Sequence, residues 1–205
     1  MSTMAQMTNL RERLEQIVSV AYDILCNKIA IGNIVVKNEA SLQMQFGVLL
    51  KQVGSLYEFS NDERFSIELE TPQDIDASSK STKGKARCDI YLSFADKQNS
   101  ISAAIELKYF VYDKLYEAVT DNRFAVMQDL ENLEHYKAKN PMLMCYEIVY
   151  TTNPNYANPQ TTAGIKLAPK VTQNYTYRER TINLQSSYDA EWVNYGSHYF
   201  MKVKF

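Results

Sequence analysis

Two short runs constrain the fold most: Arg87–Phe94 (RCDIYLSF) and Ile101–Phe110 (ISAAIELKYF). Both are rich in β-branched and aromatic residues, and the turn-forming connector ADKQNS separates them, a pattern that predicts an antiparallel hairpin. Alternation then assigns faces. Cys88, Ile90 and Leu92 are expected to point to the core, and Arg87, Asp89 and Tyr91 away from it. On the next strand Ile105 and Leu107 go to the core, while Glu106 and Lys108 share the other face. Two acids and a lysine thus fall on one side of a hairpin. An unpaired charge so near a core costs on the order of several kcal/mol, and metal coordination is one way to satisfy such a cluster. An ion-paired, solvated sheet face is the plain alternative.

The flanking sequence supplies the other elements. Leu10, Leu14, Ile17, Ala21, Ile24 and Leu25 recur at helical spacing, and Gly32-Asn33 punctuates the end of that helix. A second helix is expected after Asn38, a good N-cap, with Leu42, Phe46, Leu49 and Val53 as its stripe and Gly54 as its end. Phe65, Ile67 and Leu69 alternate with polar residues, as in a strand. Residues 71–85 read mostly as a polar loop. Residues 111–139 are helical in character, with a break expected near Thr120-Asp121. MLMCYEIVY (142–150) reads as a buried strand, so strand, helix and strand favour a parallel crossover. The tail is expected to give a helix around Ala190–Tyr195 and a last strand over His198–Phe205.

The expected fold class is α/β: a mixed sheet of four to five strands, an antiparallel meander plus a parallel crossover strand, flanked by helices. One domain over 1–205 is expected, with its core at 38–150, a helical extension at 1–37 and a Tyr-rich elaboration at 151–205.

Composition narrows the function classes. No apolar run approaches the ~20 residues of a membrane helix, and the polar N-terminus lacks a signal-peptide core, so a cytoplasmic protein without a membrane partner is expected. The three cysteines, Cys26, Cys88 and Cys145, are far apart and suit neither a disulfide framework nor a zinc site. A net charge of −2 argues against a DNA-coating protein but not against a nuclease, whose site is itself acidic. Six glycines include no phosphate-binding loop, and His135 and His198 stand singly and read as structural or surface residues.

Asp89 and its strand suit a Mg²⁺ site by chemistry. Asp89 and Glu106 offer carboxylate oxygens, the Leu107 carbonyl lies between catalytic candidates, and water with a phosphate oxygen would complete the shell. Lys108 could position the attacking water or stabilise charge on the phosphorane. Cys88-Asp89 followed seventeen residues on by Glu106-Leu107-Lys108 resembles the motif of the PD-(D/E)XK, or restriction-endonuclease-like, nucleases. Cys88 stands where that motif usually has proline. The order of elements over roughly 38–150 also resembles that superfamily's core.

The resemblance implies a Mg²⁺-dependent endonuclease (Mn²⁺ substituting) that acts on DNA, in restriction or another defence against foreign DNA, as a homodimer. It implies Asp89, Glu106 and Lys108 as catalytic residues. Glu39 joins them from the second helix, and Gln128 and Asp129 are possible accessories, with an ordinary helix-surface role as their alternative. Lys83, Lys85 and Arg87 could bind the phosphate backbone from a loop, together with Lys80. Glu70, Thr151, Thr152 and Asn153 could reach the same cleft. Two other readings stay open: a catalytically inactive nuclease-fold binding or assembly subunit, and an RNA or single-strand nuclease whose Tyr175, Tyr177 or Trp192 stacks on bases.

Overall fold

The computed structural model describes residues 3–73, 86–111, 119–160, 166–171 and 174–205. Helix α1 spans Thr3–Ala30. Its stripe of Leu10, Leu14, Ile17, Val18, Ala21 and Leu25 is buried. Gly32, at φ +77°, closes it. There the Gly32 N–H meets the Ile29 carbonyl and the Ile34 N–H meets the Lys28 carbonyl, each at 3.0 Å. A left-handed turn of this kind favours glycine. Helix α2, Glu39–Ser55, is capped by Asn38, whose side chain accepts the Ser41 N–H at 2.8 Å, while Ser41 Oγ accepts the Asn38 N–H at 3.0 Å.

Strands β1 (Arg64–Pro72), β2 (Arg87–Ala95) and β3 (Ser100–Phe110) form the antiparallel meander. Helix α3, Val119–Lys139, leads to β4 (Met144–Thr151), which pairs parallel to β3. The remaining strands are β5 (Lys170–Val171), β6 (Asn174–Tyr177), β7 (Arg180–Asn183), β8 (Tyr188–Asp189), β9 (Glu191–Tyr195) and β10 (His198–Lys204). The main sheet runs β1-β2-β3-β4-β10-β9, and β5-β8 and β6-β7 form two small ribbons. The protein is thus mixed α/β, with one parallel pair in an otherwise antiparallel sheet.

Helices α1 and α2 cover one face of the sheet, where Leu14, Ile17, Phe46, Ile90, Leu92 and Ile105 belong to one core cluster. Helix α3 and the ribbons cover the other, where Met127, Leu130, Val149, Ile182, Met201 and Val203 pack together. Each such side chain contributes about 1.5–3 kcal/mol on leaving water. Every residue of β4 is buried, as a central strand covered on both faces should be. No helix among the described residues is long and apolar enough to cross a membrane.

Two expectations need correction. The main sheet has six strands rather than four or five. The tail residues expected to be a helix form β9, which turns through Gly196 (φ +65°) and pairs with β10. So short a segment cannot sustain a helix alone, and Trp192, Val193 and Tyr195 suit a pleated surface. The Trp192 indole N–H also fixes the strand, donating to the Leu167 carbonyl at 2.7 Å. Helix α3 begins at Val119, with Thr120 and Asp121 in its first turn, and most of the stretch expected to precede the break lies outside the described residues. Most of the expected 71–85 loop lies outside the described residues, but Thr71 and Pro72 continue β1 opposite Cys88 and Arg87.

Candidate active site

The strands of the hairpin part at one point, and that point creates the site. Pairing of β2 with β3 runs from Ala95↔Ser100 to Ile90↔Ile105 and then stops. Beyond it the Leu107 N–H donates not to the neighbouring backbone but to Asp89 Oδ2, at 2.7 Å. The Asp89 side chain therefore takes the place of a ladder carbonyl. Helix α2 braces the split: Gln43 Nε2 donates to the Asp89 carbonyl oxygen at 2.7 Å and to Glu70 Oε1 at 3.0 Å. Glu70, opposite Asp89, adopts φ +54°, a left-handed conformation that non-glycine residues rarely take.

The same point overturns the alternation expected of β2. Ile90 and Leu92 pack toward α1 and α2, but Cys88 packs toward α3, with Ala104, Leu133 and Cys145. Tyr91 leans on that second cluster too. Opening the strand at Asp89 lets the chain change faces there. The Cys88 Sγ donates to the Ile90 carbonyl at 3.1 Å.

Lys108 stands one residue beyond the split. It is 8% exposed. Its ammonium donates to the Leu107 carbonyl at 3.0 Å, lies 3.6 Å from Glu39 Oε2 and is in direct ion-pair contact with Asp129. Burial by itself disfavours the charged form, but the carboxylates of Asp129, Glu147, Glu39 and Asp89 outweigh it and hold the lysine well above its ordinary pKa. Lys108 is therefore a fixed cation at neutral pH, suited to stabilising negative charge and not to accepting a proton.

Glu106 points toward α3 and is fully buried, accepting the Tyr136 hydroxyl at 3.3 Å. Burial and the Glu106 charge push that phenol up. Burial likewise raises the Cys88 thiol, and raises Cys26 and Cys145 to about 12, which leaves none of the three as a nucleophile at neutral pH.

The structure thus brings Asp89, Lys108, Glu39 and Asp129 together from β2, β3, α2 and α3, with the Leu107 peptide between them. Asp129 is not the helix-surface residue of the plain alternative: it is fully buried against Lys108. Its neighbour Gln128 is half-buried. Lys80, Lys83 and Lys85 lie outside the described residues. Arg87 is exposed and donates to the Glu70 carbonyl at 3.1 Å. Thr151 and Asn153 shape a turn: Thr151 Oγ1 accepts the Asn153 N–H at 3.0 Å, and Asn153 Oδ1 accepts the Asn155 N–H at 2.9 Å. Tyr175, Tyr177 and Trp192 pack against the core under α3.

Sequence reasoning missed Glu147. It is fully buried in β4, in register with Glu106 on β3 and Val203 on β10, and its charge reaches Lys108. The signal was present: a lone carboxylate inside the otherwise uncharged run MLMCYEIVY.

The donor set is of the hard-oxygen kind that suits Mg²⁺. Among the described residues no three His, Cys, Asp or Glu side chains form a metal cage. Two carboxylates and a carbonyl are nevertheless enough for an ion that keeps several waters. Asp89, Glu106 and the Leu107 carbonyl are the residues expected to hold it; the structure sets Asp89 on the Leu107 peptide and turns Glu106 toward Tyr136 of α3. No family model matches the chain, and no curated protein or solved structure matches it significantly.

Proposed function

We propose that this chain is a metal-dependent endonuclease that hydrolyses DNA phosphodiester bonds, with a core of the restriction-endonuclease-like type, working in restriction or another defence against foreign DNA. The observation that carries the reading is the convergence on Lys108: Glu39 at 3.6 Å, Asp129 in contact, and the Asp89 carboxylate on the adjacent Leu107 peptide at 2.7 Å. Three elements besides β3 deliver acids to one lysine beside a break in the sheet. A structural ion pair needs one partner, not a set drawn from α2, α3 and β2.

A bound Mg²⁺ or Mn²⁺ would neutralise phosphate charge and lower the pKa of a bound water. The protein's own part follows from geometry. Asp89 is oriented by the Leu107 N–H and cannot swing freely. Lys108 is held charged and aimed at the Leu107 carbonyl, where it stabilises the negative charge that develops on the phosphoryl oxygens. Glu39, with its side chain 46% exposed, forms the solvent-side wall. Double-strand cleavage calls for two such sites, hence a homodimer.

The test is incubation of supercoiled plasmid, linear duplex, single-stranded DNA and RNA with Mg²⁺ or Mn²⁺, beside the Lys108→Ala variant. Cleavage of DNA by the wild type that is lost in the variant is the expected result. Cleavage of RNA alone would move the assignment to a ribonuclease.

One observation favours a second reading, an inactive nuclease-fold binding subunit: the Lys108 ammonium is already enclosed by carboxylates and only slightly exposed. A folded protein that neither cuts nor binds Mn²⁺ in a calorimetric titration would establish it.

A further inference from the structure

Helix α3 carries three polar residues on the face it turns to the sheet: Asp129, Asn132 and Tyr136, at helical positions i, i+3 and i+7. All three are buried. The outer two have partners on β3. Asp129 pairs with Lys108, and the Tyr136 hydroxyl donates to Glu106 Oε1 at 3.3 Å. Asn132 is 1% exposed, yet neither its amide nitrogen nor its amide oxygen has a hydrogen-bond partner among the described residues.

Burying an amide without a partner is costly, and native proteins satisfy nearly all such groups. An apolar side chain would serve the packing of α3 better. Asn132 is therefore explained by something it binds rather than by the fold.

Its place on the helix says what that is. Asp129 meets Lys108 and Tyr136 meets Glu106, so α3 runs antiparallel to β3 here. Asn132, between them on the same face, lies level with the intervening Leu107 peptide. Three kinds of oxygen converge on that peptide. The Leu107 carbonyl lies 3.0 Å from the Lys108 ammonium, the Asp89 carboxylate accepts the Leu107 N–H at 2.7 Å, and the Glu106 carboxylate is buried next along the strand. All are hard donors. A neutral amide oxygen adds a further donor of that class without adding charge to a region that already buries Glu106 and Asp129. Acids joined by an amide and a peptide carbonyl form a site without a three-acid cage, in keeping with the described residues.

We propose that Asn132 is a ligand of the divalent cation, its Oδ1 joining Glu106 and the Leu107 carbonyl. The proposal rests on the metal-dependent nuclease reading above.

Calorimetric titration of Mn²⁺ into the metal-free protein, with thermal melts of the same samples, tests the ligand without any cleavage. Asn132→Leu removes the amide and keeps a branched side chain. Its metal-free melting temperature should equal or exceed that of wild type, because a buried polar group without a partner is gone, while Mn²⁺ binding weakens about 10–100-fold. A purely structural Asn132 gives the reverse, a lower melting temperature with Mn²⁺ affinity unchanged, and that result overturns the assignment. Asn132→Asp decides the matter independently, even where Asn132→Leu does not fold. Its extra buried carboxylate should lower the metal-free melting temperature, and saturating Mn²⁺ should raise that temperature more than it raises wild type's. A rise no larger than wild type's overturns the assignment. If wild type binds Mn²⁺ and cuts DNA while Asn132→Leu binds equally well, the ligand is refuted and the nuclease reading stands. If wild type neither binds Mn²⁺ nor cuts, both fall.

Discussion

The Asp89 carboxylate accepts the Leu107 main-chain N–H at 2.7 Å, where the ladder between β2 and β3 has ended. One side chain thereby holds two strands together and stands one residue from Lys108. These two duties can be separated by mutation. Asp89→Asn keeps an oxygen to accept the N–H, so stability should change by less than ~1 kcal/mol. Asp89→Ala leaves that N–H without its acceptor and should cost about 1–3 kcal/mol. Both should lower DNA cleavage at least ~100-fold, because both remove the charge. Urea denaturation alongside a plasmid assay checks the split, and an active Asp89→Asn enzyme would refute the proposed role.

Lys108 and Asp129 should be strongly coupled. Breaking the pair from one side, by Asp129→Ala or Lys108→Ala, removes a buried ion-pair contact and should cost about 3–5 kcal/mol. The double variant Lys108→Met with Asp129→Leu should recover most of that loss while staying inactive. A thermodynamic double-mutant cycle reads the coupling. Additive costs would mean that the contact contributes little.

Acid should act through Glu63. Its carboxylate takes two hydrogen bonds from Arg13, both at 2.7 Å, and one from the Phe59 N–H at 2.6 Å. The Arg13 hydrogen bonds, opposed by desolvation and helped by the backbone bonds, lower its pKa from 4.5 to about 2. A folded-state pKa below the unfolded value stabilises the fold above the unfolded pKa. That contribution is lost as pH falls from about 4.5 toward 2. Wild type should therefore lose stability over this window more steeply than Glu63→Gln, as measured by thermal melts at successive pH values.

Gly54 tests packing against propensity. Alanine would favour the helix by ~1 kcal/mol on propensity alone. A Cβ at this position would, however, fall 2.2 Å from the Phe65 ring, which is buried. Gly54→Ala should thus destabilise by about 1–3 kcal/mol through overpacking. A melting temperature at or above that of wild type would show that Phe65 moves aside freely.

Local signals carried much of the fold. Asn38 started α2, the periodic apolar residues marked α1, and the connector after Ala95 made the hairpin. What escaped was decided at long range. Glu191–Tyr195 became a strand because β10 offered a partner, which no local pattern in those residues announces. Cys88 changed faces because Asp89 bonded to a residue eighteen positions away. In the site, the acids on the hairpin were legible by spacing. Asp129 and Glu147 were harder to see because each lies in a different element and meets Lys108 only after the parallel crossover is made.

The strand order also dictates a sequence of assembly. The four strands from β1 to β4 are contiguous in the sheet and complete by Thr151, so they can form while later residues are still being synthesised. The outer side of β4 must then wait for β10, whose Tyr199 meets Thr151 across a gap of 48 residues. In the main sheet β9 pairs with β10 alone, so the two join β4 most directly as a preformed hairpin. Until that hairpin docks, the hydrogen-bonding edge of β4 is exposed, and its apolar sequence makes the nascent chain vulnerable to self-association. Folding yield should therefore depend on the β9–β10 turn at Gly196.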